Sequence, residues 1–186
     1  MKENGINQVE ATRLAGVNMS RLWDASHLVS MLVPEEWAVG RTEKFETIYI
    51  GPQTAGMQPN VGIAHTQLLR GNRLTIQLLG KQVLNFLQST YNAFELLEER
   101  EVELDGTRPG LLRVFGWTDK ETQSRVTQLM LLVADGNTLF DFTATIAKDA
   151  AKELLPVIKG MLMSVKFTAA TKEKEVLPLA TPAVNN

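Results

Sequence analysis

Apolar and polar positions follow two different periods along this chain, and the changes of period divide it into elements. "HLVSMLV" (27–33) runs almost continuously apolar and suits a strand. Pro34 has no N–H to give to a ladder, so it ends that strand or marks its edge. Trp37, in "LVPEEWAV", then covers the end of the sheet, burying a large ring with its N–H near water. "KFETIYIG" puts Phe45, Thr47 and Tyr49 on one face and Glu46, Ile48 and Ile50 on the other, and Gly51-Pro52 stops it. "NVGIAHTQL" reads as a third strand. The period then becomes helical: Leu79, Val83, Phe86, Leu87 and Thr90 fall on one stripe, with Thr75 as N-cap and Gly80 a weak point inside.

Four more strands follow. "ELLEEREVEL" ends at Asp105-Gly106, "GLLRVFGWT" at Asp119, and "RVTQLMLLV" at Ala134-Asp135-Gly136-Asn137, a hairpin signal. "TLFDFTATI" sets Phe140, Phe142, Ala144 and Ile146 against a wetter face of Leu139, Asp141, Thr143 and Thr145. A last helical stripe, Leu154, Ile158, Met161, Leu162 and Val165, carries Pro156, which predicts a start or a bend there. Strands joined by hairpins, with two helices set between and after them, predict an α+β domain. Its antiparallel sheet has six to seven strands packed with those two helices. Residues 1–16 read as a flexible N-terminal arm, 17–168 as a single domain, and 169–186, with "KEKE" and two prolines, as a disordered C-terminal tail.

Composition narrows the function classes more than it names one. At 186 residues the chain is long enough for an independent core. Its 19 Lys+Arg nearly balance 21 Asp+Glu, which gives no electrostatic reason to expect nucleic acid. There is no cysteine, hence no disulfide frame, thiol nucleophile or Cys-ligated metal. No segment has the apolar length of a membrane span, and "MKENGINQVEATRLAGVN" lacks a signal core. The expected location is cytoplasmic on the chain as given, and the cell envelope or periplasm if a native signal peptide has been removed.

Candidate chemistry is sparse. His27 has Asp24 and Ser26 beside it, but a Ser/His/Asp triad needs a convergence this spacing does not give. His65 has no second ligand near it in sequence, and a metal site needs two or three more. His27 is read as a surface or half-buried polar residue at a strand entrance and His65 as a satisfied strand histidine, with a small hydrolase built on His27 as the rival from another class. Glu99, Glu101, Glu103 and Asp105 line one strand face and are read as a solvated face. Neither a phosphate-binding glycine loop nor a G-x-S-x-G elbow is present. No catalytic, cofactor-binding or metal-ligating residue is assigned, and no cofactor is expected. The strand "TQLMLLV" is apolar on both faces. Gln128, Met130 and Leu132 are therefore read as an open, partner-binding face, against the alternative that they are core. Met57, Met161 and Met163 add adaptable apolar surface.

The stretches "LVPEEWAV", "GNTLFDFTATI" and "IKGMLMSVKF", in this order of strands and helices, resemble the PsbP/Mog-like fold, in particular the bacterial DcrB-related proteins. The resemblance implies binding without catalysis. It points to a protein partner, with a hydrophobic or amphipathic helix of a client as one form and a homodimer left open. The role implied is a bacterial adaptor or chaperone for a secreted or membrane-associated protein, such as a type VI secretion effector. The alternative is an envelope lipoprotein or extrinsic protein that has lost its signal peptide.

Overall fold

The computed structural model describes residues 6–54, 56–68 and 75–167. The tail expected over 169–186 lies outside them. Among the described residues are eleven strands: β1 (Ile6–Leu14), β2 (Val17–Asp24), β3 (Val29–Pro34), β4 (Ala38–Gly40), β5 (Thr47–Ile50), β6 (Asn60–Gln67), β7 (Glu95–Leu104), β8 (Arg108–Thr118), β9 (Arg125–Asp135), β10 (Thr138–Ala147) and β11 (Lys166–Phe167). Two helices, α1 (Ile76–Thr90) and α2 (Ala151–Met163), complete the α+β fold expected from the sequence.

The strands form two antiparallel sheets. A seven-stranded sheet has the order β4-β5-β6-β10-β9-β8-β7, and a four-stranded sheet the order β1-β2-β3-β11. The sequence reading placed all strands in one sheet. The strand ending at Pro34 belongs instead to the smaller one, because β11 returns from the far end of the chain to pair with it, Phe167 opposite Val29.

The expected N-terminal arm is a second correction. Residues Ile6–Leu14 form β1, paired with β2 from Ile6↔Asp24 to Leu14↔Val17. Their turn is Ala15–Gly16, with both residues at positive φ, +49° and +83°. That geometry is the tight hairpin turn in which Asn-Gly or Asp-Gly is usual. Ala15 holds the left-handed conformation at a cost, and Gly16 without one.

Each helix covers one face of the large sheet. β9 shows why its strand is apolar throughout: Leu129, Leu131 and Val133 join the core under α2, and Met130 and Leu132 join a second cluster under α1. α1 leaves β6 and crosses β10, β9 and β8 to reach the edge strand β7. Thr75 caps it as expected, its side-chain oxygen accepting from the Leu78 N–H at 3.2 Å. Both helices approach closely through a glycine. A Cβ on Gly80 would stand 2.3 Å from Leu111, and one on Gly160 would stand 2.1 Å from Leu14. The residue that weakens α1 as a helix is thus the one that lets it sit down on the sheet.

α2 is held from both sides. Ile158, Met161 and Leu162 are fully buried between the two sheets. At its C-terminal end Ser164 accepts from the Leu32 N–H at 2.8 Å, and Arg21 donates to the Ser164 carbonyl at 2.9 Å. Lys159 pairs with Glu98 of β7. Pro156 lies about one and a half turns into the helix, which follows a 3-10 turn at Lys148–Ala150. Trp37 is buried as expected, its ring lying where a side chain on Gly51 would have to go.

Candidate functional site

The open face expected at Gln128, Met130 and Leu132 is closed. The three are 5 %, 7 % and 2 % exposed. Met130 and Leu132 pack beneath α1 with Ile76, Leu87, Leu111 and Phe115. Gln128 is spent on a polar relay across the same face: Trp117 Nε1 donates to its Oε1, and its Nε2 donates to Thr145 Oγ1, both at 3.0 Å. The pattern that suggested an open face, apolar residues on both sides of one strand, comes from a strand covered on both sides.

Exposed apolar surface lies one layer further out. On α1, Leu78 and Phe86 are 46 % and 64 % exposed, and at the start of β7 Leu96 and Leu97 are 40 % and 55 % exposed. Phe86 had been assigned to the buried stripe. Leu79 and Leu87 do lie there, but Phe86 sits a quarter turn round the helix, on its outer side. Leu97 is the extra residue of a bulge, because Leu96 pairs with Phe115 and Glu98 with Val114. The bulge turns a leucine out of an edge strand, where apolar exposure is usually avoided.

Between α1 and β7 lies a cleft of about 440 Å³ lined by Gln77, Lys81, Leu84, Glu99, Glu101 and Arg113, among others. The carboxylate row Glu99, Glu101, Glu103 and Asp105 is exposed, as expected, and its members Glu99 and Glu101 are also paired. Glu99 accepts from the buried Arg113, and Glu101 accepts from Gln77 at 3.1 Å.

A second constellation escaped the sequence reading. His27, on the turn between β2 and β3, is buried. Its Nδ1 lies 2.7 Å from Asp24 Oδ2. Asp24 is buried too, and accepts from the Ser26 N–H at 2.9 Å. Burial works to raise the Asp24 carboxyl, but hydrogen bonds from His27, Thr47 and the Ser26 amide, with the charge of His27, hold it below the ordinary value. Burial and the charge of Asp24 push the Tyr49 hydroxyl up. His27 Nε2 points away from Asp24 and is buried without a hydrogen-bond partner. Among the described residues no hydroxyl is hydrogen-bonded to this nitrogen, as a nucleophile–base pair would require. What it faces is Glu46 Oε2 at 3.6 Å, and the ring of His65, at 5.3 Å between centroids and nearly perpendicular. No sequence spacing carried this grouping, since His27 comes from the small sheet and His65 from β6 of the large one.

No protein-family model matches the sequence, and no curated protein is similar to it in sequence. Solved structures are similar in fold. The cyanobacterial PsbP (CyanoP) of Synechocystis superposes with a TM-score of 0.59 at 12 % identity, over 81 % of this chain and 92 % of that one. The Ran-binding protein Mog1p of Saccharomyces cerevisiae gives 0.59 at 10 % identity, over 81 % and 96 %. LpqN of Mycobacterium tuberculosis, described as involved in cell envelope biogenesis, gives 0.56 at 11 % identity, over 76 % and 83 %. With two antiparallel sheets, two helices and these neighbours, the chain has the PsbP/Mog-like fold.

Proposed function

We propose that this chain is a non-catalytic domain that binds another protein, as an adaptor or chaperone for a secreted or membrane-associated partner of the type VI effector kind. The observation that carries the reading is the exposure of four large apolar side chains, Leu78 and Phe86 on α1 and Leu96 and Leu97 on β7. Exposed apolar side chains that gather into a patch mark an interaction site. The occupant that fits is an amphipathic segment of the partner. Its apolar side lies on Phe86 and Leu97, and its basic side chains face Glu99, Glu101 and Glu103. Met130 and Leu132 then act from beneath, as the floor on which α1 is seated. Mog1p, which binds Ran by its description, supports a protein partner for this fold. LpqN's link to the cell envelope supports an envelope location as the alternative setting for the same activity.

A photo-crosslinking residue at position 86, with the same residue at position 152 on the opposite helix as control, identifies the partner in cells. Affinity for that partner is then measured on purified protein. Phe86→Asp combined with Leu97→Asp is expected to weaken binding at least about tenfold, the effect of losing one or two apolar anchors, with the melting temperature unchanged. Full affinity in that double variant overturns the reading.

A further inference from the structure

The histidine cluster supports more than protein binding. We propose that His27, Glu46 and His65 form a site for a divalent first-row transition metal ion, with Zn²⁺ the best fit and Asp24 as the group that orients His27.

Three observations carry this independently of the partner surface. The first is distance. One ligand atom from each of the three side chains can be chosen so that all lie within 4.8 Å of one another, and His27 Nε2 to Glu46 Oε2 is 3.6 Å. Ligands about 2.0–2.1 Å from a tetrahedral zinc ion stand about 3.3–3.5 Å apart, so the cluster is close to that spacing before any ion binds. Glu46 and His65 are exposed, and their rotamers are free to close the remaining gap.

The second is the state of His27. Its ring is buried and its Nε2 has no hydrogen-bond partner. A buried polar atom left bare costs stability. Here that atom is aimed at a carboxylate and a second imidazole. The other ring nitrogen is held by Asp24 at 2.7 Å. A carboxylate on the far nitrogen is the usual outer partner of a metal-bound histidine, because it fixes the tautomer and leaves the lone pair of Nε2 facing the ion.

The third is charge and donor type. Asp24 and Glu46 bring two negative charges to the junction of the two sheets, and a divalent cation balances both. Two imidazoles and one carboxylate suit zinc and its neighbours better than magnesium or calcium, which prefer all-oxygen shells. Three protein ligands leave a fourth position, which opens on the side where Glu46 and His65 are exposed. Bound there, the ion ties the β2–β3 turn of the small sheet to β5 and β6 of the large one. Binding to the folded state alone then raises stability in proportion to occupancy.

The test uses the full chain without a histidine tag. Zn²⁺ is titrated calorimetrically, and Co²⁺ serves as an optical probe of coordination. One saturable site per chain, a visible Co²⁺ spectrum of a four-coordinate centre, and a rise in melting temperature with Zn²⁺ are the expected results. His65→Ala and Glu46→Gln change exposed residues, so the metal-free protein should melt as the parent does. Each should weaken Zn²⁺ binding at least about tenfold, and Asp24→Asn should do so by about 10–100-fold, the range for outer-shell partners. Lack of saturable binding up to about 1 mM Zn²⁺, a level reached only by very weak sites, overturns the proposal. So does unchanged affinity in His65→Ala.

Discussion

The two faces of the large sheet are built from the same kinds of residue, yet they are finished differently. On the α2 face the sheet contributes mostly apolar side chains, among them Leu129, Leu131, Phe142, Ala144 and Ile146, and the helix above them is roofed by a second sheet. On the α1 face the apolar cluster covers only part of the surface. The rest is polar, with Gln128 and Thr145 in the relay from Trp117 and Asp141 accepting from Thr143 at 2.7 Å. Nothing among the described residues roofs α1. One helix is therefore a core element and the other a coat, with outward apolar residues that its own packing does not need. The proposed binding surface lies on the side that is left unroofed.

The comparison breaks first under core truncation. Ile158→Ala on α2 should cost about 2–5 kcal/mol, because the cavity lies between two sheets that cannot both collapse into it. Urea unfolding measures this, and a cost below about 1 kcal/mol would mean that α2 is no more essential than a surface helix. Next come the two glycine contacts. Gly160→Ala and Gly80→Ala each add a methyl where a leucine already stands. Overpacking costs about 1–3 kcal/mol, and the better helix propensity of alanine returns somewhat under 1. A net loss of up to about 2 kcal/mol is expected for each. The two losses should be felt in different places. Hydrogen exchange should rise in β1 for Gly160→Ala, where Leu14 must move, and in α1 for Gly80→Ala.

A smaller effect separates the faces by pH. Burial raises the Asp141 carboxyl, against the hydrogen bond from Thr143 and the charge of Lys44. The folded state thus keeps this proton to a higher pH than the unfolded chain does. Its contribution is present below the ordinary aspartate value of 3.8 and is lost as pH rises through the folded value. Asp141→Asn should remove that decline, so the stability gap between variant and parent should move in the variant's favour as pH rises from about 4 towards neutral. A gap independent of pH would refute the assignment. The smallest effect is expected at Phe86→Ser, within about 0.5 kcal/mol of the parent in thermal unfolding, because the ring is mostly in water.

The parts of the fold that were legible are those where local chemistry leaves one choice. Pro34 ends β3, Thr75 caps α1, and Gly136–Asn137 joins Asp135 to Thr138. The hairpin of β1 and β2 was missed because its turn is Ala15–Gly16, without the Asn or Asp that announces such a turn, and because "INQVEATRL" has only a weak alternation. The split into two sheets depends on β11 pairing with β3, a contact no local pattern encodes. The same holds for His27 and His65, which only the docking of one sheet on the other brings together. Met130 shows the converse limit. A strand apolar on both sides states that it has two covers, but not whether the second is a helix of the same chain or a partner.

The pairing of Lys166–Phe167 with Val29–Ser30 also sets an order on synthesis. β1, β2 and β3 are made before the other described elements, yet their fourth strand and the Ser164 that Arg21 and Leu32 grip are among the last of the described residues to be made. Closing so long a loop costs only slightly more than closing a short one, since the entropy grows with the logarithm of its length. The delay comes from translation. Until α2 has emerged, Val29, Met31 and Val33 have no helix to pack under, and the nascent hairpin must wait with its apolar face uncovered. A chain stalled before Ser164 cannot finish the smaller sheet at all.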